Sequence, residues 1–126
     1  MTFMPHRERI QLEHEGRLLD VQIVLATGFW SRLRGLMGVK ALPAGVGMLL
    51  APCNSIHMLG MRQRIEAVFI SKDFRVLKVS GPLKPWCGLS ACRKAWGVIE
   101  WAPGQAGLLG LREGVQLKRV TVEARP

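Results

Sequence analysis

Cys53-Asn54-Ser55-Ile56-His57-Met58-Leu59-Gly60-Met61-Arg62, running on into Ile65-Glu66-Ala67-Val68-Phe69-Ile70, is the stretch on which the fold turns. Residues 65–70 are apolar at both parities over a strand-sized length, the pattern of a strand buried on two faces. Residues 56–61 read as a second candidate strand. In an extended chain Ser55, His57, Leu59 and Met61 share one face, and Ile56, Met58, Gly60 and Arg62 the other. A histidine, arginines, a thiol and a carboxylate thus stand beside an apolar core strand. Ionisable groups are costly there unless they are paired or used.

Outward from this stretch, turn signals divide the chain into short strands. Arg9-Ile10-Gln11-Leu12-Glu13-His14 alternates apolar and polar residues, and Glu15-Gly16 turns. The alternation resumes through Leu19, Val21, Ile23 and Leu25, which is a hairpin signature. Thr27 is placed to cap a short helix over 27–37, where Trp30, Leu33, Leu36 and Met37 recur at helical spacing. Pro43-Ala44-Gly45 turns into a buried strand over 46–51 that stops at Pro52. Ser71-Lys72-Asp73 turns into a strand over 74–80. Gly81-Pro82 and Pro85 then break the chain, and a loop runs over 86–94. A strand over 95–101 ends at Pro103-Gly104, one helical turn is expected over 107–111, and a last strand over 115–122. Many short strands at close spacing predict a mainly β (α+β) fold. The expected form is a compact β-sandwich or barrel-like sheet with one or two short helices. By length, 1–126 is expected to be one domain with its core at about 9–123.

An apolar fraction of 48% with 21% charged residues excludes a disordered chain and fits a soluble globular one. No apolar run approaches the roughly 20 residues of a membrane helix. The first residues lack the apolar core of a signal peptide. Cys53, Cys87 and Cys92 are an odd set, poor for a disulfide framework and compatible with reduced thiols. The expectation is a cytoplasmic protein without membrane contact. Eighteen Lys and Arg against nine Asp and Glu give a net charge of +9, which favours anionic partners. The basic residues are scattered, with no block of five or more.

Five blocks carry a family resemblance. They are Arg32-Leu33-Arg34-Gly35-Leu36-Met37-Gly38; Gly45-Val46-Gly47-Met48-Leu49-Leu50; Ser55-Ile56-His57 with Gly60-Met61-Arg62; Val98-Ile99-Glu100-Trp101-Ala102-Pro103-Gly104; and the segment 111–117. In this order they resemble the DUF192 (UPF0127) family of small bacterial and archaeal domains. Two departures stand out. The family's P-I-D is Arg64-Ile65-Glu66 here, so the carboxylate sits one methylene further out and the proline is gone. Its late G-D falls near Glu113-Gly114. The resemblance implies a domain type and no particular reaction.

Arg34, His57, Arg62, Glu66 and Glu100 are the candidate ligand-binding residues, expected to hold a small anion or polar molecule. An arginine fork on Glu66 would make two charge-assisted hydrogen bonds, and the structural alternative is an ion pair pinning the helix over 27–37 to the sheet. A second reading is a hydrolase with His57 as general base. Ser55 is a poor partner for it, because side chains at i and i+2 on a strand lie about 7 Å apart. A third reading is a basic nucleic-acid accessory protein, with Trp86, Trp96 and Trp101 near Lys84, Arg93 and Lys94 as stacking surfaces; core packing is the plainer role for these tryptophans. Cys53, His57, Cys87 and Cys92 have the types of a tetrahedral zinc set, against which stands the usual fate of such thiols as inert buried groups. No cofactor is expected. Oligomeric state does not follow from the residues.

Overall fold

The apolar stretch Ile65–Ile70 forms β6, with a strand on each side and a core cluster against each face. The computed structural model describes residues 7–26, 42–58 and 61–121; the expected helix over 27–37 lies outside them. The remaining strands are β1 (Arg9–His14), β2 (Arg17–Leu18), β3 (Gln22–Ala26), β4 (Val46–Leu50), β5 (Ser55–His57), β7 (Val76–Leu83), β8 (Leu89–Ala91), β9 (Gly97–Trp101) and β10 (Lys118–Thr121). One short helix, α1 (Gln105–Leu108), occurs among the described residues.

The main sheet runs β10-β1-β3-β4-β9-β6-β7, with β2 paired to β1, and β5 and β8 form a separate two-stranded ribbon. The fold is mainly β, a curled half-barrel. β3 and β4 are parallel, the one parallel pair among the described strands. The curl is gathered at one end by the segment before β10. There Val76 N–H bonds Val115 O, Gly114 N–H bonds Val76 O and Leu117 N–H bonds Phe74 O.

The hairpin expected at Glu15-Gly16 forms, with Glu15 at φ 52° and Gly16 at φ 78°. Its second arm is not continuous. β2 pairs the end of β1 and β3 pairs its beginning, and the two registers differ by two residues. Leu19–Val21 absorbs the difference, yet Val21, Ile23 and Leu25 still enter one core, as their alternation requires.

The pleat sorts the core into two clusters. On one face Ile23, Leu25, Leu49, Val68, Ile70, Ile99 and Trp101 pack under α1 and the segment 109–117. On the other, Val24, Ala26, Met48, Leu50, Ala67, Phe69 and Val98 pack with Ile56 and Met58 of the ribbon region. Gly47 makes room on the first face: a Cβ there would stand 2.9 Å from Ile99 Cγ2 and 3.0 Å from the Trp101 ring. The Trp101 Nε1–H is buried with no hydrogen-bond partner among the described residues.

Four elements differ from the sequence expectation. The strand expected over 56–61 ends at His57, because Met61 N–H turns back to Met58 O. β7 does not stop at Gly81-Pro82; it runs through both, with a register shift opposite Ile65–Ala67 that takes up the extra residue. The loop over 86–94 contains β8, which pairs β5 and rests on the second face through Ser90 Oγ–H to Ser80 Oγ (2.7 Å) and Lys78 Nζ–H to Ala91 O (2.8 Å). The helical turn also comes earlier than expected, over Gln105–Leu108.

Candidate functional site

The turn at Met58–Met61 decides where the sequence-derived site residues go. Before it, Ile56 and Met58 point inward while Ser55 and His57 are exposed. After it the alternation restarts with Met61, Gln63 and Ile65 inside and Arg62 and Arg64 outside. His57 and Arg62 therefore both meet solvent. Gln63, which carries no charge, is the polar side chain taken inward: its Oε1 accepts the Leu42 N–H at 2.7 Å. Arg34 lies outside the described residues.

The two carboxylates separate by strand parity. Glu66 pairs with Trp101 and shares its face, together with Val68 and Ile70. There its Oε1 accepts the Ala106 N–H at 2.9 Å, satisfying a donor in the first turn of α1 that has no other side-chain cap. Glu100 pairs with Met48 on one side and Ala67 on the other, so it belongs to the opposite face. A pocket holding both carboxyl groups is thus not what the sheet offers. Among the described residues neither Arg62 nor any other cation pairs with Glu66, and the bond its carboxylate makes there is to the first turn of α1.

Glu100 is the most unusual polar group of the fold. It stands in a cross-strand row Val24–Met48–Glu100–Ala67–Ser80, and only 5% of its surface is exposed. No hydrogen-bond partner for its carboxyl occurs among the described residues. Desolvation by the apolar surroundings raises its pKa from 4.5 to about 7. At neutral pH the group is poised between an acid that donates a hydrogen bond and a carboxylate.

The thiols do not assemble. Cys53 is half-buried and its Sγ donates to Ser55 O at 3.0 Å; Cys87 is exposed in a turn; Cys92 is half-buried. Among the described residues no three His, Cys, Asp or Glu side chains gather closely enough to hold a metal ion, so Cys53, His57, Cys87 and Cys92 do not make a zinc set. The tryptophans are dispersed too. Trp101 is buried, Trp96 lies half-buried against Phe74 with ring centroids 6.0 Å apart, and Trp86 is exposed.

A groove of about 590 Å³ escaped the sequence reading. Its aromatic surface is Phe74 and Trp96, and Lys72, Lys118, Arg119, Asp73 and Gln116 provide its polar groups. Asp73 accepts from Ser71 Oγ, which with the nearby Arg75 holds its pKa below the usual carboxylate value. Gln116 Nε2 donates to Asp73 O and Leu117 O, fixing this wall of the groove. Three cations face one carboxylate, so the groove is net positive. Lys72 lies in the β6–β7 turn and Lys118 and Arg119 in the last strand, and they meet only through the bonds between 114–117 and 74–76. No local pattern encodes that meeting; the alternating last strand was the sole hint.

The model of the uncharacterised family DUF192 (Uncharacterized ACR) matches residues 10–119. The chain belongs to the DUF192 family. Among solved structures, this DUF192 chain is similar to a proposed transcription regulator from Sinorhizobium meliloti, at 23% identity and TM-score 0.78, covering 90% of this chain and 93% of the other. It is also similar to a protein of unknown function from Novosphingobium aromaticivorans, at 20% identity and TM-score 0.73, covering 87% and 83%. At these identities the likeness shows the DUF192 fold alone. No curated protein matches the chain.

Proposed function

We propose that this DUF192 protein is a small-ligand-binding module for an anionic or polar molecule that also presents an apolar or ring-shaped part. The observation that carries this reading is the net-positive groove with Phe74 and Trp96 in its wall. Its volume falls in the range of small-molecule sites, roughly 300–1,000 Å³. Lys72 and the Lys118–Arg119 pair come from different elements, and a guanidinium fork suits phosphate and carboxylate alike.

The test is thermal unfolding of the full chain against inorganic phosphate, sugar phosphates, nucleoside monophosphates and small carboxylates. A ligand at 100 times its dissociation constant adds about 2.7 kcal/mol of stability. The shift should disappear in Lys118→Ala/Arg119→Ala. No shift with any compound, or an equal shift in the double variant, rejects the groove.

A second reading keeps one residue of the sequence-derived set. Glu100, buried and without a hydrogen-bond partner among the described residues, favours a ligand contact on the second face through a donor such as an amine or hydroxyl. Ligand-induced stabilisation that Lys118→Ala/Arg119→Ala retains and Glu100→Ala loses would select it. The hydrolase alternative draws no comparable support, since His57 is exposed and no carboxylate orients it among the described residues.

A further inference from the structure

The outer face of the β5–β8 ribbon is a feature that the groove leaves unused. Ile56 pairs with Ser90, and both are turned inward. The flanking pairs, Ser55 with Ala91 and His57 with Leu89, are all exposed. Leu89 is 72% exposed and Trp86, three residues earlier, is 62% exposed. Solvent-facing apolar groups of this size, one on the two-stranded ribbon and one in the turn that leads into it, mark an interaction site.

Trp86 is held outward by a tight turn. Its backbone is left-handed at φ 68°, a conformation unfavourable for a bulky residue. Its N–H bonds Met58 O at 2.8 Å, Met58 N–H bonds Gly88 O at 2.9 Å and Gly88 N–H bonds Lys84 O at 3.0 Å. Only glycine fits at 88, where a Cβ would stand 2.6 Å from Met58 Cγ and 2.7 Å from Lys84 O. Local strain that the surroundings over-determine is found where presentation of a side chain matters.

The charge around this face is one-sided. Residues 51–65 and 76–99, which supply the whole ribbon and its connections, contain no Asp or Glu. They carry Arg62, Arg64, Lys78, Lys84, Arg93 and Lys94, every one exposed. Glu66, at the border, is turned to the other face of the sheet and caps α1.

We propose that the outer face of the β5–β8 ribbon binds single-stranded nucleic acid, with bases stacking on Trp86 and against His57 and Leu89 while the surrounding lysines and arginines hold the phosphates. The cations call for an anionic partner. An exposed indole and an exposed imidazole call for one with exposed planar rings. A duplex hides those rings, and an acidic peptide has few of them. This site is separate from the groove of Lys118 and Arg119, and its failure leaves that reading untouched.

The experiment is anisotropy of labelled oligothymidylate and oligouridylate of roughly ten nucleotides, within the span of known single-strand sites, titrated with the full chain. The expected result is binding that weakens with salt, with a log–log slope of about −2 to −3 for three or four phosphate contacts. Trp86→Ala should reduce affinity about tenfold or more, as loss of one stacked base does. Trp86→Phe should retain most of it, and Lys84→Glu should lower both affinity and slope. Lys118→Ala/Arg119→Ala should change little. Each substituted side chain is exposed, and unchanged thermal unfolding verifies that the fold persists. No binding, equal affinity for duplex of the same length, indifference to Trp86→Ala, or capture by phosphatidylglycerol vesicles without capture of oligonucleotide would each overturn the proposal.

Discussion

Glu100→Gln separates the electrostatics of the second face from its packing. Glutamine keeps the length and shape of the side chain and removes the ionisation. In the wild type the carboxyl has a folded pKa of about 7 against an ordinary value of 4.5. At 1.36 kcal/mol per pH unit, ionising it in the folded state costs about 3 kcal/mol more than in the unfolded chain. The folded state therefore holds this proton more tightly. Below about pH 4.5 the group is neutral in both states and stability is insensitive to it. Between 4.5 and about 7 stability falls as pH rises, and above 7 the whole penalty is present. Asp73 titrates in the opposite sense and below this window, since its folded pKa is lowered. The assay is urea or thermal unfolding of both proteins at pH 5, 6, 7 and 8. The wild type should lose up to about 3 kcal/mol relative to Glu100→Gln across that range, about 10 °C for a domain of this size. At pH 5 the two should be similar or the wild type slightly more stable. Parallel pH profiles for the two proteins would refute the argument, because they would mean that the carboxyl is neither desolvated nor unpaired in solution.

Two further outcomes follow from the packing. Gly47→Ala drives a methyl group against Ile99 and the Trp101 ring and should destabilise the fold by about 1–3 kcal/mol in urea unfolding. Glu66→Ala removes the acceptor for the Ala106 N–H and should lower stability by about 1 kcal/mol, while Glu66→Gln, which keeps an acceptor oxygen, should recover most of it. An ion-pair role for Glu66 would instead make the glutamine variant as poor as the alanine one.

The parts of the fold that were legible are those fixed by local alternation. β1 and β6 lie where their apolar patterns put them, β6 is central as its two apolar faces require, and Glu15-Gly16 turns. The parts that were not legible depend on partners distant in the chain. Met58 looks like the middle of a strand until its carbonyl receives N–H groups from Met61 and Trp86, and that turn reverses the parity of everything after it. Gly81-Pro82 looks like a break until the register shift opposite β6 is known. The same causes govern the site. An alternating pattern locates side chains on a strand but cannot tell that Glu66 and Glu100, on neighbouring strands, fall on opposite faces. That follows from register, in which Glu66 stands opposite Trp101 and Ala67 opposite Glu100.

Among the described residues two margins of the sheet carry no further strand, β10 at one and β7 beyond its bonds to 114–115 at the other, and their composition bears on how the molecule behaves in a crowd. At one, β10 presents Lys118 and Arg119. At the other, β7 carries Lys78, the backbone irregularity at Gly81 and, in Pro82, a residue with no amide hydrogen to offer. A strand from a second molecule that tried to extend the ladder would meet like charge at the first margin and a missing donor at the second. An incompletely closed sheet can thus stay open without zipping onto copies of itself into fibres.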